Sequence, residues 1–133
     1  MIGADTNVLV RLFVDDEPWQ ARAARAMTDA ARRSEESILL TPLVLAEIEW
    51  SLRKNYAFSK SEILDALDQL CGNTLFIVDD REAVEAAIEA WRTGTADFAD
   101  YLIGAVARDR GARTTVTFDR KAARTEAFTL LTA

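Results

Sequence analysis

The chain has 133 residues, half of them apolar, with a net charge of −6, one cysteine and no histidine. That length fits one domain over residues 1–133, with enough apolar content for one core. The lack of histidine excludes Ser-His-Asp and Cys-His mechanisms and the usual zinc sites, while oxygen-ligand metal chemistry stays open.

Further exclusions follow from the same reading. No apolar run of about 18 residues occurs, so no membrane span is expected. The opening MIGADTNVLVRLFVDDE lacks a basic segment and a small-residue cleavage site. Cys71 alone cannot form an internal disulfide, which fits a reducing compartment, and a cytoplasmic protein is expected. The net negative charge disfavours tight non-specific nucleic-acid binding, which depends on Lys and Arg neutralising phosphates.

In chain order, residues 2–4 read as a short apolar start, followed by a helical NVLVRLF run. Pro18 stands at a first-turn position of a long amphipathic helix reaching about residue 35. Its Arg22, Arg25, Arg32 and Arg33, like Arg53 and Lys54 further on, read first as a solvated face and second as a path for phosphates. ILLT (38–41) reads as a buried strand, and Pro42 opens the helix PLVLAEIEWSLRKNY. Ser59 and Glu62 form a capping-box pattern for SEILDALDQL, which stops near Gly72. LFIV (75–78) is a second buried strand, and Asp79 to Glu82 cap REAVEAAIEAW. A Thr-Gly-Thr break at 93–95 precedes DFADYLIGAVARDR, which Gly111 ends; TTVTF and FTLL read as the last strands. Short apolar strands buried on both faces and joined through helices indicate a parallel α/β sheet.

Four acids, Asp5, Glu47, Asp100 and Asp119, lie at or just beyond strand ends or in the helix that follows. Clustered carboxylates repel unless a positive charge sits among them, and a hard divalent cation is the common solution. Capping accounts equally well for Asp5 and Asp119, and a helix start attracts Asp97 and Asp100 through the dipole. Glu47 differs, because it shares a helical stripe with Leu43 and Trp50 and is expected to be buried there, where a carboxylate is costly unless paired or bound to metal. Glu49 has Arg53 at i+4 and reads as an ordinary surface pair. Trp19 and Trp50 read as core packing or as the lining of a groove for a partner helix or dimer face. Trp91 and Cys71 read as core.

The segments I-G-A-D-T-N-V-L-V-R, T-P-L-V-L-A-E-I-E-W, A-D-F-A-D-Y-L-I-G-A and V-T-F-D-R, in that order, resemble PIN-domain ribonucleases. Within that family the chain is most similar to the compact bacterial VapC toxins of toxin–antitoxin pairs, from residue 2 to about residue 122. The resemblance implies a three-layer α/β sandwich whose short, mainly parallel sheet of four or five strands is flanked by helices. It implies catalytic and metal-ligating roles for Asp5, Glu47, Asp100 and Asp119, with Asp97 as an accessory acid. Asn7 and Thr117 match polar positions that orient carboxylates. Tyr101 departs from the pattern, standing where a small residue is frequent, and is expected to narrow the cleft.

The implied activity is hydrolysis of RNA by an endoribonuclease using Mg²⁺ or Mn²⁺, leaving a 5′-phosphate and a 3′-hydroxyl. The substrate would be single-stranded or loop RNA, where the phosphate is accessible. The implied partners are a VapB-type antitoxin and a second copy in a homodimer. A non-catalytic PIN-like nucleic-acid or protein binding module is the alternative, and the metal site itself does not exclude a deoxyribonuclease. A phosphoaspartate receiver is disfavoured, because too little chain follows Asp79 and Asp80. A haloacid-dehalogenase-like phosphatase lacks its second aspartate, since Asn7 stands in that place.

Overall fold

A computed structural model describes residues 1–133, which pack as two compact units, Met1–Asp79 and Asp80–Ala133. The first runs β1 (Ile2–Gly3), α1 (Thr6–Val10), α2 (Pro18–Arg33), β2 (Ile38–Leu40), α3 (Pro42–Tyr56), α4 (Lys60–Gly72) and β3 (Phe76–Val78). The second runs α5 (Arg81–Thr93), α6 (Phe98–Asp109), β4 (Thr115–Thr117), a 3₁₀ turn (Ala122–Arg124) and β5 (Phe128–Leu130).

In the first unit β1, β2 and β3 pair in parallel, with Ile2 opposite Ile38 and Ile38 opposite Phe76. Parallel pairing requires crossover connections, and the helices between the strands supply them. Strand alternation turns Ile38, Leu40, Phe76 and Val78 into the core, with Leu9, Leu45, Ile48, Leu52, Ile63, Leu67 and Leu70. Leu39 and Ile77 point the other way and are half-buried and exposed, so that face is less fully covered than the core face.

Local chemistry sets the helix ends. Pro18 and Pro42 occupy first-turn positions, where no amide hydrogen is needed. Thr41 Oγ1 accepts from Val44 N at 3.3 Å, and Ser59 and Glu62 complete the expected capping box. Glu62 carries a carboxyl held below its ordinary range by hydrogen bonds from Ser59. Arg11 ties α1 to its neighbours, donating to Gln20 Oε1 at 2.8 Å and Tyr56 Oη at 3.1 Å, with Asp16 as its ion partner.

In the second unit β4 and β5 pair in parallel, Thr115 opposite Phe128. The strands therefore hydrogen-bond as one set of three and one of two, rather than as a single sheet of four or five. Helices α5 and α6 bury Val84, Ala87, Ile88, Phe98 and Leu102, and Trp91 packs against Phe98 with the rings tilted by 47° and their centroids 5.2 Å apart. A side chain at Gly104 would place Cβ 2.8 Å from Ala127 Cβ and 2.9 Å from the Phe128 ring, so a glycine lets α6 lie directly on β5. The cap of α5 is Asp80, not Asp79. Its backbone is left-handed (φ 52°), and its carboxylate accepts from Arg110 at 2.8 Å instead of from the helix amides. No helix is long and apolar enough to cross a membrane.

Candidate active site

The first unit builds one acidic hollow. Asp5 follows β1 in extended conformation and accepts from Thr6 N at 2.7 Å, so its carboxylate caps α1. The Asp5 carbonyl accepts from Val8 N and Leu9 N, which fixes the start of the helix. Thr6 is buried, and its hydroxyl is the one buried side-chain polar atom without a hydrogen-bond partner. Asn7 is exposed. Asp5, Thr6 and Asn7 line a hollow of about 530 Å³ together with Glu47, Trp50 and Ser51 of α3. No basic side chain lines it.

Helix α3 turns its faces opposite to the sequence expectation. Glu47 is exposed, as are Leu43 at 70% and Trp50 at 53%. Glu49 is the buried acid, 3% exposed, with Oε2 2.6 Å from Arg53 Nε. The core stripe is Leu45, Ile48, Glu49 and Leu52, and Glu49 enters it because Arg53 supplies a charge-assisted bond one turn on. Glu47 faces the hollow free of any core constraint. The core-packing reading of Trp19 and Trp50 fails too, since Trp19 is 62% exposed. Trp19 lines a second hollow of about 530 Å³ with Asn7, Val8, Arg11, Gln20, Ala23, Ala24 and Met27. Trp91 is core as expected, whereas Cys71 is half-buried rather than buried.

The second unit carries the other acids at the start of α6 and after β4, near enough for their charges to act on one another. Asp97 occupies the cap position of α6 without a side-chain capping bond, while its carbonyl accepts from Asp100 N at 3.0 Å. Asp119 follows β4; its carboxylate accepts from Lys121 N at 2.8 Å and Ala122 N at 3.3 Å, capping the 3₁₀ turn. Thr117 Oγ1 accepts from Asp119 N at 3.0 Å, so Thr117 sets the backbone that carries Asp119. Partial burial, then the charges of Asp97 and Asp119, push the Asp100 carboxyl up, against a backbone bond from Asp97 and the charge of Lys121. Lys121 Nζ lies 3.6 Å from Asp97 Oδ1. Tyr101 is turned onto its own loop, where its hydroxyl accepts from Ala96 N at 3.4 Å and lies over Gly94.

The donor set suits a hard divalent cation, being carboxylates and neutral oxygens without nitrogen or sulfur. Two observations agree with that fit: the unpartnered Thr6 hydroxyl beside Asp5 and Glu47, and the like-charge crowding around Asp100. No group of three or more acids is itself drawn together around a metal-sized point. Sequence reasoning missed Thr6, Lys121 and Ser51. Thr6 was legible as the residue after a helix-capping aspartate, and Ser51 as the residue one turn beyond Glu47.

The chain matches no curated protein. The PIN domain family model, however, matches residues 3–127 of its 133 residues and so takes in every acid described above. PIN domains are generally nucleases, of a fold that binds nucleic acid and typically uses divalent metal ions. A parallel α/β chain carrying acids after β1, in α3, at the start of α6 and after β4 belongs to the PIN domain family.

Proposed function

We propose that this protein is a metal-dependent endoribonuclease and acts as the toxin of a toxin–antitoxin pair, in the cytoplasm and as one domain over residues 1–133. The observation that carries the reading is the placement of Asp5 and Glu47 on one open hollow beside an unpartnered hydroxyl. Asp5, Glu47, Asp100 and Asp119 would hold Mg²⁺ or Mn²⁺, with Asp97, Asn7 and Thr117 orienting them. A bound ion of this kind polarises the phosphate and acidifies water, so that hydrolysis proceeds without histidine. Thr117 holds the Asp119 backbone in place, and the Thr6 amide steadies one oxygen of Asp5, leaving the other for a ligand. Lys121 restrains Asp97. Exposed Arg22, Arg25 and Arg33, which make no ion pair within the chain, supply phosphate contacts that the acidic hollow cannot.

The toxin reading leans on the second hollow. An exposed tryptophan above Val8, Ala23, Ala24 and Met27 suits an apolar side chain of an antitoxin helix of the VapB type or of a second copy in a homodimer. The decisive experiment is cleavage of defined RNAs with Mg²⁺ or Mn²⁺, comparing wild type with Glu47→Gln and Asp5→Asn. The reading expects metal-dependent cleavage and its loss in both variants. Full activity in either variant, or cleavage in a chelator, overturns it.

A further inference from the structure

Trp50 is an exposed indole, unlike Trp91, which is buried against Phe98. Its helix does not lack a core face, because Leu45, Ile48, Glu49 and Leu52 are buried. Trp50 projects away from them, one turn after Glu47 and on the same side. There it lines the hollow that holds Asp5, Glu47, Asn7, Ser51 and the buried Thr6 hydroxyl without a partner.

The lining identifies the occupant by chemistry. The hollow under Trp19 sets its ring beside Val8, Ala23, Ala24 and Met27 as well as Asn7, Arg11 and Gln20, a mixed lining with an apolar floor for a protein side chain and no carboxylate. The hollow under Trp50 sets one ring among neutral hydrogen-bonding groups and two carboxylates, where a purely apolar side chain would leave the polar groups unpaired. A nucleobase has both parts of the match: a flat π-face for the indole and a polar edge for Asn7, Ser51 or Thr6. The volume of about 530 Å³ lies within the range of small-ligand sites. The base must also be unpaired, since a base stacked within a duplex cannot present its face.

We propose that Trp50 is the stacking wall of a nucleotide subsite, holding an unpaired base of single-stranded RNA next to Asp5 and Glu47. The proposal rests on the nuclease reading and adds to it the group that grips the substrate. An acidic hollow repels the RNA backbone, so a neutral stacking contact supplies affinity that its charge opposes. Trp50 thus serves binding rather than bond cleavage.

The test uses the full chain, Mg²⁺ and a single-stranded oligoribonucleotide with one cleavage site, alongside a copy in which the base flanking that site is removed. Trp50→Ala is expected to raise KM by roughly 10- to 100-fold, with kcat nearly unchanged and Trp50→Phe largely restoring KM. On the abasic substrate wild type and Trp50→Ala should converge, which a merely structural role would not produce. Wild-type KM in Trp50→Ala, or an equal further loss on the abasic substrate, overturns the proposal. So does intact RNA cleavage combined with lost self-association or lost binding of a co-expressed partner, which would make the ring a protein contact. If wild type cleaves no RNA, the nuclease reading fails first. The subsite is then decided by fluorescence: single-stranded RNA should quench wild type more than Trp50→Phe, and equal quenching refutes stacking.

Discussion

Asp5 and Glu47, in the first unit, line an open hollow whose other walls are neutral, whereas Asp97, Asp100 and Asp119, in the second, act on one another's charge with a lysine among them. The hollow leaves its charges to be met from outside. These acids meet part of their own charge through Lys121, through the Lys121 and Ala122 amides on the Asp119 carboxylate and through the Asp97 backbone at Asp100, and Asp100 still takes up a proton more readily than an ordinary aspartate. The difference places electrostatic cost at Asp100 and unused polar capacity at Thr6. Both are conditions that a cation relieves, by different physics: one removes repulsion, the other supplies a partner.

The largest expected effect separates function from stability at Asp100. Asp100→Asn should reduce metal-dependent RNA cleavage by roughly 10²- to 10³-fold, the scale of losing one electrostatic contact to a reacting centre. The same variant should melt at a higher temperature than wild type at neutral pH without divalent cation. The folded chain holds this proton more tightly than the unfolded chain does, so its contribution is present below the unfolded pKa and is lost as pH rises through the folded value. Asp100→Asn should flatten that loss in a melting series from pH 4 to 7, and an unchanged slope would contradict the crowding. Glu47→Gln, exposed and without an ion pair, should leave the melting temperature nearly unchanged.

Next comes the ion pair of α3, whose Glu49 is buried while Arg53 reaches solvent. Arg53→Met strands the Glu49 carboxylate in the core and should destabilise the protein by on the order of 3 kcal/mol in urea denaturation. A loss under about 0.5 kcal/mol would mark the pair as an ordinary surface contact. In the second unit, Gly104→Ala forces a methyl group against Phe128 and should lower stability by about 1–3 kcal/mol. The smallest effect belongs to Glu62, whose lowered carboxyl pKa gives stability above the unfolded value that is lost as pH falls through the folded one. Glu62→Gln should remove that acid-limb dependence and change little else.

Much of this was legible in the sequence, because the helices begin and end on chemistry that acts locally. Pro18, Pro42 and the Ser59–Glu62 box stand where expected, and ILL and FIV form strands. Helix α3 defeated the reading for a specific reason. It is apolar on both sides, so periodicity offers two stripes, Leu43–Glu47–Trp50 and Leu45–Ile48–Leu52, without saying which one meets the core. Residues two apart on a helix point in nearly opposite directions, so choosing the wrong stripe exchanged Glu47 with Glu49. The error leaves Glu47 a candidate, since an exposed carboxylate reaches a ligand more readily than a buried one. The split pairing of the strands and the left-handed cap at Asp80 depend on tertiary geometry that residue spacing does not encode.

The bare hydroxyl of Thr6 also makes the protein a detector of its own ligand. A buried donor left unmatched costs about 1–3 kcal/mol, and any occupant that completes its hydrogen bonding returns part of that to the folded state. A melting screen across cations, nucleotides and short RNAs should therefore single out the natural occupant by its upward shift in wild type. In Thr6→Val, which keeps the shape and removes the hydroxyl, the unliganded protein should gain stability while the response to that occupant shrinks.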